Sequence, residues 1–282
     1  MYAPSHGASA NPEWGDNTSI AISSTTGEQM LLSEQWVLVT GGARGLGAAI
    51  TRALVREGAS VVVNYRNSET AALALKEEFG DRVLPLRADV TDAAAVTRLF
   101  EKAQVQTGQP IVSVVNNALA DFQFDGDARP KIDSIGWSRF QQQLDGSLKG
   151  ALNTIQAAVA GMRSRGFGRI VNVGTNLFQN PVVPYHDYTA AKAALLSLTR
   201  TVAHDLGPDG ITVNMVSGGL LRTTDASAAT PDFVFDLIAS STPVRRVTTP
   251  EEFADAVLFF LSPWSRAVTG QNLIVDGGLV KG

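Results

Sequence analysis

The sequence predicts a single doubly wound α/β domain, with a mostly parallel seven-stranded sheet and helices on both faces. Three observations carry this. Apolar runs of strand length recur at 36–40, 60–65, 82–87, 111–115, 169–173, 211–216 and 272–275, with helical stretches between most of them. Runs such as Val61-Val62-Val63 and Ile111-Val112-Ser113-Val114-Val115 are nearly continuous in branched apolar residues, which suits strands buried on both sides. A glycine-rich turn, Thr40-Gly41-Gly42-Ala43-Arg44-Gly45-Leu46-Gly47, stands at the first strand–helix junction.

Residues 1–33 differ from the rest in being rich in Ser, Thr, Gly, Ala and Asn, with no basic residue, and are expected to form a poorly ordered extension before a domain at 34–282. They lack the basic start of a secretory signal and the arginines of a transit peptide. After the first strand, a helix is expected from about Gly45 to Glu57, stopped by Gly58. Gly207-Pro208 ends a later helix in the same way, and Thr249-Pro250-Glu251-Glu252 reads as a capping box opening a helix through Leu261. A glycine at 146 falls inside a helical stretch, at a cost of about 1 kcal/mol against alanine, and offers a place for a kink.

Composition excludes several chemistries. The formal charge is −4, which argues against nucleic-acid or polybasic membrane partners. There is no cysteine, so disulfides, thiolate zinc sites and a cysteine nucleophile are ruled out. The histidines (His6, His186, His204) lack metal-ligand spacing, and no apolar run reaches the ~18 residues of a membrane span. A cytoplasmic protein without metal or membrane is expected. No G-x-S-x-G occurs, so a hydrolase elbow is absent.

Two sets of residues point to chemistry. Gly41, Gly45 and Gly47, with Arg44 and Leu46 between them, would let backbone N–H groups approach a pyrophosphate at a helix N-terminus. The second strand ends Asn64-Tyr65-Arg66, with no acid before Glu69 to hold a ribose 2′-hydroxyl; Arg66 and Arg44 instead favour a 2′-phosphate, hence NADP(H). Asp89, followed by Val90, is placed either to meet an adenine edge or to cap the next helix, and Asn116-Asn117-Ala118 follows the fourth strand at the sheet edge where ligands of such folds bind, Asn being also an ordinary turn residue. The second set is Tyr188 and Lys192, four apart on one helix face, thirteen residues after the hydroxyl of Thr175. A neighbouring ammonium is expected to pull the phenol below its ordinary value of about 10, making it a usable acid or base.

Together these motifs resemble the short-chain dehydrogenase/reductase family over about 34–282, closest to its 3-oxoacyl-carrier-protein reductase group. The family pattern Thr-Gly-x-x-x-Gly-x-Gly matches 40–47, Asn-Asn-Ala-Gly matches 116–119 except for Leu119, Tyr-x-x-x-Lys matches 188–192, and Gly-x-x-x-x-Val-Asp-Gly-Gly ends at Gly278. The resemblance implies a Rossmann-type fold, a homotetramer (or dimer), and NADPH-dependent reduction of a ketone or acyl thioester. Tyr188 would donate the proton, Lys192 would tune it and hold the nicotinamide ribose, and Thr175 would stand where serine usually polarises the carbonyl. Ser147 falls where the family places an asparagine in a proton relay, with Asp145 or backbone carbonyls as alternatives. Gly219 falls in a Ser217-Gly218-Gly219 run where Pro-Gly is common, Thr223 falls where a threonine often meets the carboxamide, and 220–248 are expected to form a mobile lid. The competing reading is an NADP(H)-binding sensor or scaffold with vestigial catalysis, motivated by Leu119 and the missing asparagine.

Overall fold

Strands β1 (Trp36–Val39), β2 (Ser60–Tyr65), β3 (Val83–Arg87), β4 (Ser113–Asn116), β5 (Gly168–Thr175), β6 (Ile211–Gly218) and β7 (Asn272–Val275) form one sheet in the order β3-β2-β1-β4-β5-β6-β7. The computed structural model describes residues 30–119, 129–224 and 227–281; the expectation for 1–29 lies outside them. Every pairing is parallel, so the expected mostly parallel sheet is wholly so. Val61 through Val63 and Val114 and Val115 have no exposed surface, which is why these strands lack alternation.

Helices cover both faces. One face packs against α1 (Gly45–Arg56), α2 (Glu69–Phe79) and α8 (Pro250–Leu261); the other packs against α3 (Ala93–Thr107), α5 (Gly150–Arg165) and α6 (His186–Leu206). Phe253 on α8 is fully buried over Gly218, where an added Cβ would sit 3.0 Å from the ring. The Thr249 capping box is present: Thr249 Oγ1 accepts from Glu252 N–H at 3.3 Å, and Glu252 Oε2 accepts from Thr249 N–H at 3.0 Å. Residues 30–33, grouped by composition with the extension, join the domain, since Met30 and Leu32 pack on the two cores. A short α7 (Asp232–Ser241) lies within the stretch expected to be a lid, of which positions 225–226 fall outside the described residues.

The kink expected near Gly146 takes a specific form. Between α4 (Trp137–Leu144) and α5 the chain runs through a π-turn, Asp145–Lys149, in which Gly150 N–H donates to Asp145 O, five residues back. The helix does not break; it widens by one residue and turns Ser147 inward. Gly150 lies so close to Val90 that a Cβ would stand 2.9 Å from Val90 Cγ2, which seats the π-turn against the end of β3. Among the described residues no helix is long and apolar enough to cross a membrane, and no group of acids or histidines could hold a metal.

Candidate active site

The strand order reverses between β1 and β4, and in open parallel sheets the crevice outside the carboxyl ends of such strands is where ligands bind. The turn after β1 and the turn after β4 meet there. Thr40 Oγ1 accepts from Asn117 N–H at 2.9 Å and Ala118 N–H at 3.0 Å, while Asn117 Nδ2 donates to Thr40 O at 2.9 Å and Gly41 O at 3.2 Å. Thr51 Oγ1 donates to Gly47 O at 2.9 Å and Gly42 O at 3.1 Å, fixing the glycine turn from the helix side. The sequence pattern contained Asn117 but assigned it no task; its amide holds the two turns together.

This cradle fits a dinucleotide pyrophosphate. Gly41 and Gly45 adopt φ +62° and +49°. A Cβ at Gly47 would lie 2.1 Å from Gly41 O and 2.7 Å from Asn117 Nδ2, so the chain closes there only as glycine. The first α1 N–H with an intrahelical acceptor in view is Ala48, bonded to Arg44 O, leaving the first-turn amides of Gly45, Leu46 and Gly47 for an anion. Arg44 is exposed immediately before them.

The residues expected around the nucleotide divide into two groups. Asn64 and Tyr65 are committed to the fold: Asn64 Nδ2 donates to Ala88 O at 3.0 Å, its Oδ1 accepts from Gly41 N–H at 3.4 Å, and Tyr65 hydroxyl donates to Glu69 Oε1 at 3.2 Å. Both are buried, and their carbonyls accept from Gly42 and Ala88 N–H at 3.0 Å. Asn116 is also turned inward, donating to Asn172 Oδ1 at 2.9 Å and accepting from Thr154 Oγ1 at 2.6 Å, with Asn172 passing the chain on to Thr199 at 2.9 Å. Arg66 is half-exposed, and its Nη1 lies 3.8 Å from Asp89 Oδ2. Asp89 is not the helix cap. Its Oδ1 accepts from Thr91 N–H and Oγ1 at 2.9 and 2.8 Å, and the cap of α3 is Asp92, which accepts from Ala94 and Ala95 N–H.

Beside the cradle, Thr175 at the end of β5 and Tyr188 and Lys192 on α6 come together, all buried. Thr175 stands close enough to the Tyr188 hydroxyl to act on its titration, and its Oγ1 accepts from Leu177 N–H at 3.3 Å. Lys192 Nζ donates to Val173 O at 2.7 Å and stands 5.8 Å from the centroid of the Tyr188 ring. The expected lowering of the tyrosine is not found. Burial, the largest effect, pushes Tyr188 up to about 12 against the smaller lowering by Thr175, and burial pulls Lys192 down to about 8. The reason is burial: desolvation is the largest effect on Tyr188 and the one that moves Lys192, and no attraction between the two enters either.

Ser147 is buried in the π-turn and its Oγ has no hydrogen-bond partner among the described residues. It shares a small cavity of about 10 Å³ with Thr40, Val90, Asn116, Ala118 and Lys192. A space of that size holds about one water. Gly219 packs beside Asn176 and Asp276, where a Cβ would stand 3.1 and 3.2 Å from them; Thr223, further along, is exposed. Asp276, from the C-terminal motif, accepts from Asn176 Nδ2 at 2.9 Å and from Gly278 and Val280 N–H at 3.0 Å, which fastens the chain end to the end of β5.

The family described as enoyl-(acyl carrier protein) reductase matches residues 41–280. The chain is 34% identical to an acetoacetyl-CoA reductase of Rhizobium meliloti over 243 residues, 86% of this chain and 96% of that one. It is 34% identical to a 3-alpha-(or 20-beta)-hydroxysteroid dehydrogenase of Mycobacterium tuberculosis over 245 residues, covering 87% and 89%. A cis-4-hydroxycyclohexanecarboxylate dehydrogenase of Sinomonas cyclohexanicum is also 34% identical, over 253 residues, 87% of this chain and 96% of that one. Among solved structures, a candidate gluconate dehydrogenase of Agrobacterium tumefaciens superposes with a TM-score of 0.79 at 27% identity, covering 89% of this chain and 98% of that one. The glycine cradle, the Thr175–Tyr188–Lys192 cluster and these likenesses agree: the chain belongs to the short-chain dehydrogenase/reductase family of oxidoreductases.

Proposed function

We propose that this protein reduces a ketone, of 3-oxoacyl type or another small carbonyl, to the alcohol with NADPH. The observation that carries the reading is the approach of Thr175 to the buried Tyr188 hydroxyl, with Lys192 one helical turn on, at the same sheet edge as the glycine cradle. A dihydronicotinamide bound at that edge supplies the hydride. Thr175 takes Leu177 N–H on its oxygen, and its own O–H, beside the Tyr188 hydroxyl, turns to a carbonyl oxygen when substrate is present. Tyr188, held protonated by burial, gives its proton to that oxygen as the carbonyl carbon is reduced. Lys192 favours the resulting phenolate, and a water held by Ser147 beside Lys192 returns the proton from solvent. Ser147 is thereby a member of the relay and not only a wall.

Arg66 and Arg44 support NADPH over NADH, because β2 ends without an acid, Arg66 follows that strand half-exposed and Arg44 directly precedes the first turn of α1. Gly41, Gly45, Leu46, Gly47, Val90 and Ala118 would line the cofactor, and Gly219 and Thr223 would flank the carboxamide end. Docking of an acidic carrier protein has less support. Arg163, Arg165 and Arg169 sit at the C-terminus of α5 and the start of β5, the opposite end of the sheet from the site, and Arg163 is paired with Asp209. A free small molecule or coenzyme A thioester is the preferred substrate, in a cytoplasmic homotetramer or dimer.

The test is a panel of ketones, β-keto thioesters, cyclic ketones and steroids with NADPH and with NADH. Turnover of at least one with NADPH is expected. Tight NADPH binding with no oxidation by any compound would favour the sensor reading.

A further inference from the structure

The chain carries a buried ion pair that sequence patterning did not single out. Arg129, where the connection from β4 returns toward α4, donates from Nη2 to both carboxylate oxygens of Asp187, at 2.7 and 2.6 Å. The two side chains are only 6% and 2% exposed. Asp187 lies in the first turn of α6, directly before Tyr188. The guanidinium carbon also stands 5.3 Å from the centroid of Tyr185, the residue that caps the same helix. Tyr185 and Tyr188 pack in one cluster with Leu119, Leu177 and Val183, so the end of β4, the turn after β5 and the start of α6 meet around the tyrosine.

A pair of this kind is a poor device for stability. Removing two charges from water is expensive, and well-packed apolar residues of similar volume hold a fold equally well or better. What a buried pair with short contacts does provide is a fixed geometry. A carboxylate at a helix N-terminus is already favoured by the helix dipole, so Asp187 would be well placed on any such helix. Here its position is further determined by a residue 58 positions earlier in the chain.

We propose that Arg129 and Asp187 form a positioning clasp that holds the first turn of α6, and with it the Tyr188 hydroxyl, at a set distance from Thr175. This rests on the proposed role of Tyr188 as proton donor. The clasp sets where the acid stands and leaves NADPH binding, at the β1–β4 crevice, to the glycine cradle. Arg129 and Asp187 act through Tyr188 and do not themselves exchange a proton with substrate.

The test uses the full chain and whichever ketone the wild type turns over best. The variant pair Arg129→Met with Asp187→Leu removes both charges together, so no uncompensated charge is left buried and the fold is retained. The double variant is expected to bind NADPH within about threefold of wild type and to keep its KM, while kcat falls about 100-fold, the scale of a misplacement near 1 Å. Arg129→Lys should recover kcat to within about tenfold of wild type, because a single nitrogen makes both contacts to Asp187. Native kcat in the double variant would overturn the proposal. Hydrogen exchange over residues 185–192 gives a readout independent of turnover: faster exchange in the double variant is expected, and unchanged exchange would overturn the clasp. If the wild type reduces no ketone at all, the proposed function fails while the exchange arm still decides the clasp.

Discussion

Lys192 donates to the Val173 carbonyl at 2.7 Å, with its nitrogen 5.8 Å from the centre of the Tyr188 ring. The lysine is anchored to the strand that ends at Thr175, so the three groups share one rigid junction between β5 and α6. Burial acts on its two titratable members in opposite senses. The phenol is pushed up to about 12 and the ammonium down to about 8. Both tend toward neutrality in the apo protein, and the acid form of Tyr188 is the one present at neutral pH.

That arrangement has a consequence for stability. Between pH 8 and 10.5 the unfolded chain keeps its Lys192 proton while the folded chain gives it up, so folding becomes more favourable as pH rises through this window. The contribution is complete above 10.5 and is lost as pH falls through about 8. Urea unfolding of wild type against Lys192→Met across this range should show the difference in stability changing in favour of wild type by at most about 3 kcal/mol. A flat difference would mean the ammonium is not desolvated. Tyr188 acts oppositely between 10 and about 12, where the folded chain retains a proton the unfolded chain loses, so its contribution falls with pH there.

Gly47→Ala tests the cradle. The added Cβ meets Gly41 O at 2.1 Å and Asn117 Nδ2 at 2.7 Å, so the turn must open and the first-turn amides of α1 must move. If an overpacking cost of about 1–3 kcal/mol falls on the bound state, NADPH affinity drops roughly 5- to 150-fold, measured by fluorescence titration. Unchanged affinity would place the nucleotide elsewhere.

Arg66→Ala tests the choice of nucleotide. Its Nη1 sits 3.8 Å from Asp89 at the end of β2, and its side chain is 45% exposed, as a phosphate ligand should be. The variant should lose about tenfold in NADPH affinity and little in NADH affinity, with Arg44→Ala adding to the effect. Equal losses for both nucleotides would remove the basis for preferring NADPH.

Ser147→Ala tests the relay. The hydroxyl is buried without a partner among the described residues beside the Lys192 cavity, so its loss should lower kcat about tenfold with KM unchanged, and Ser147→Asn should restore part of it. An unchanged kcat would mean that the proton reaches Lys192 by another route.

How much of this the sequence made legible depends on how local the cause was. The strands, the capping box at Thr249 and the stop at Gly207 follow from residues a few positions apart, and they stand where the patterns place them. The Tyr188–Lys192 neighbourhood follows from helical spacing for the same reason. Asn116 and Tyr65 lie at strand ends bordering the expected nucleotide site, but their amide and hydroxyl turn into the fold, to Asn172 and Glu69. Gly146 signalled a perturbed helix; that the result is a π-turn presenting Ser147 to Lys192 depends on how α5 packs against Val90. The Arg129–Asp187 pair joins residues far apart in sequence and leaves no periodic trace, and Arg129 lies among other charged residues, Lys131 and Asp133 among them, so nothing local marks it.

The central claim is that Tyr188 delivers the proton. Its most direct test is steady-state NADPH oxidation by Tyr188→Phe with the best ketone of the panel, alongside NADPH binding by the same protein. Removing the phenol should lower kcat by at least about 100-fold, in the range general acid catalysis supplies, while NADPH binds within a few-fold of wild type. Activity retained at the wild-type rate, with binding equally intact, would contradict the account.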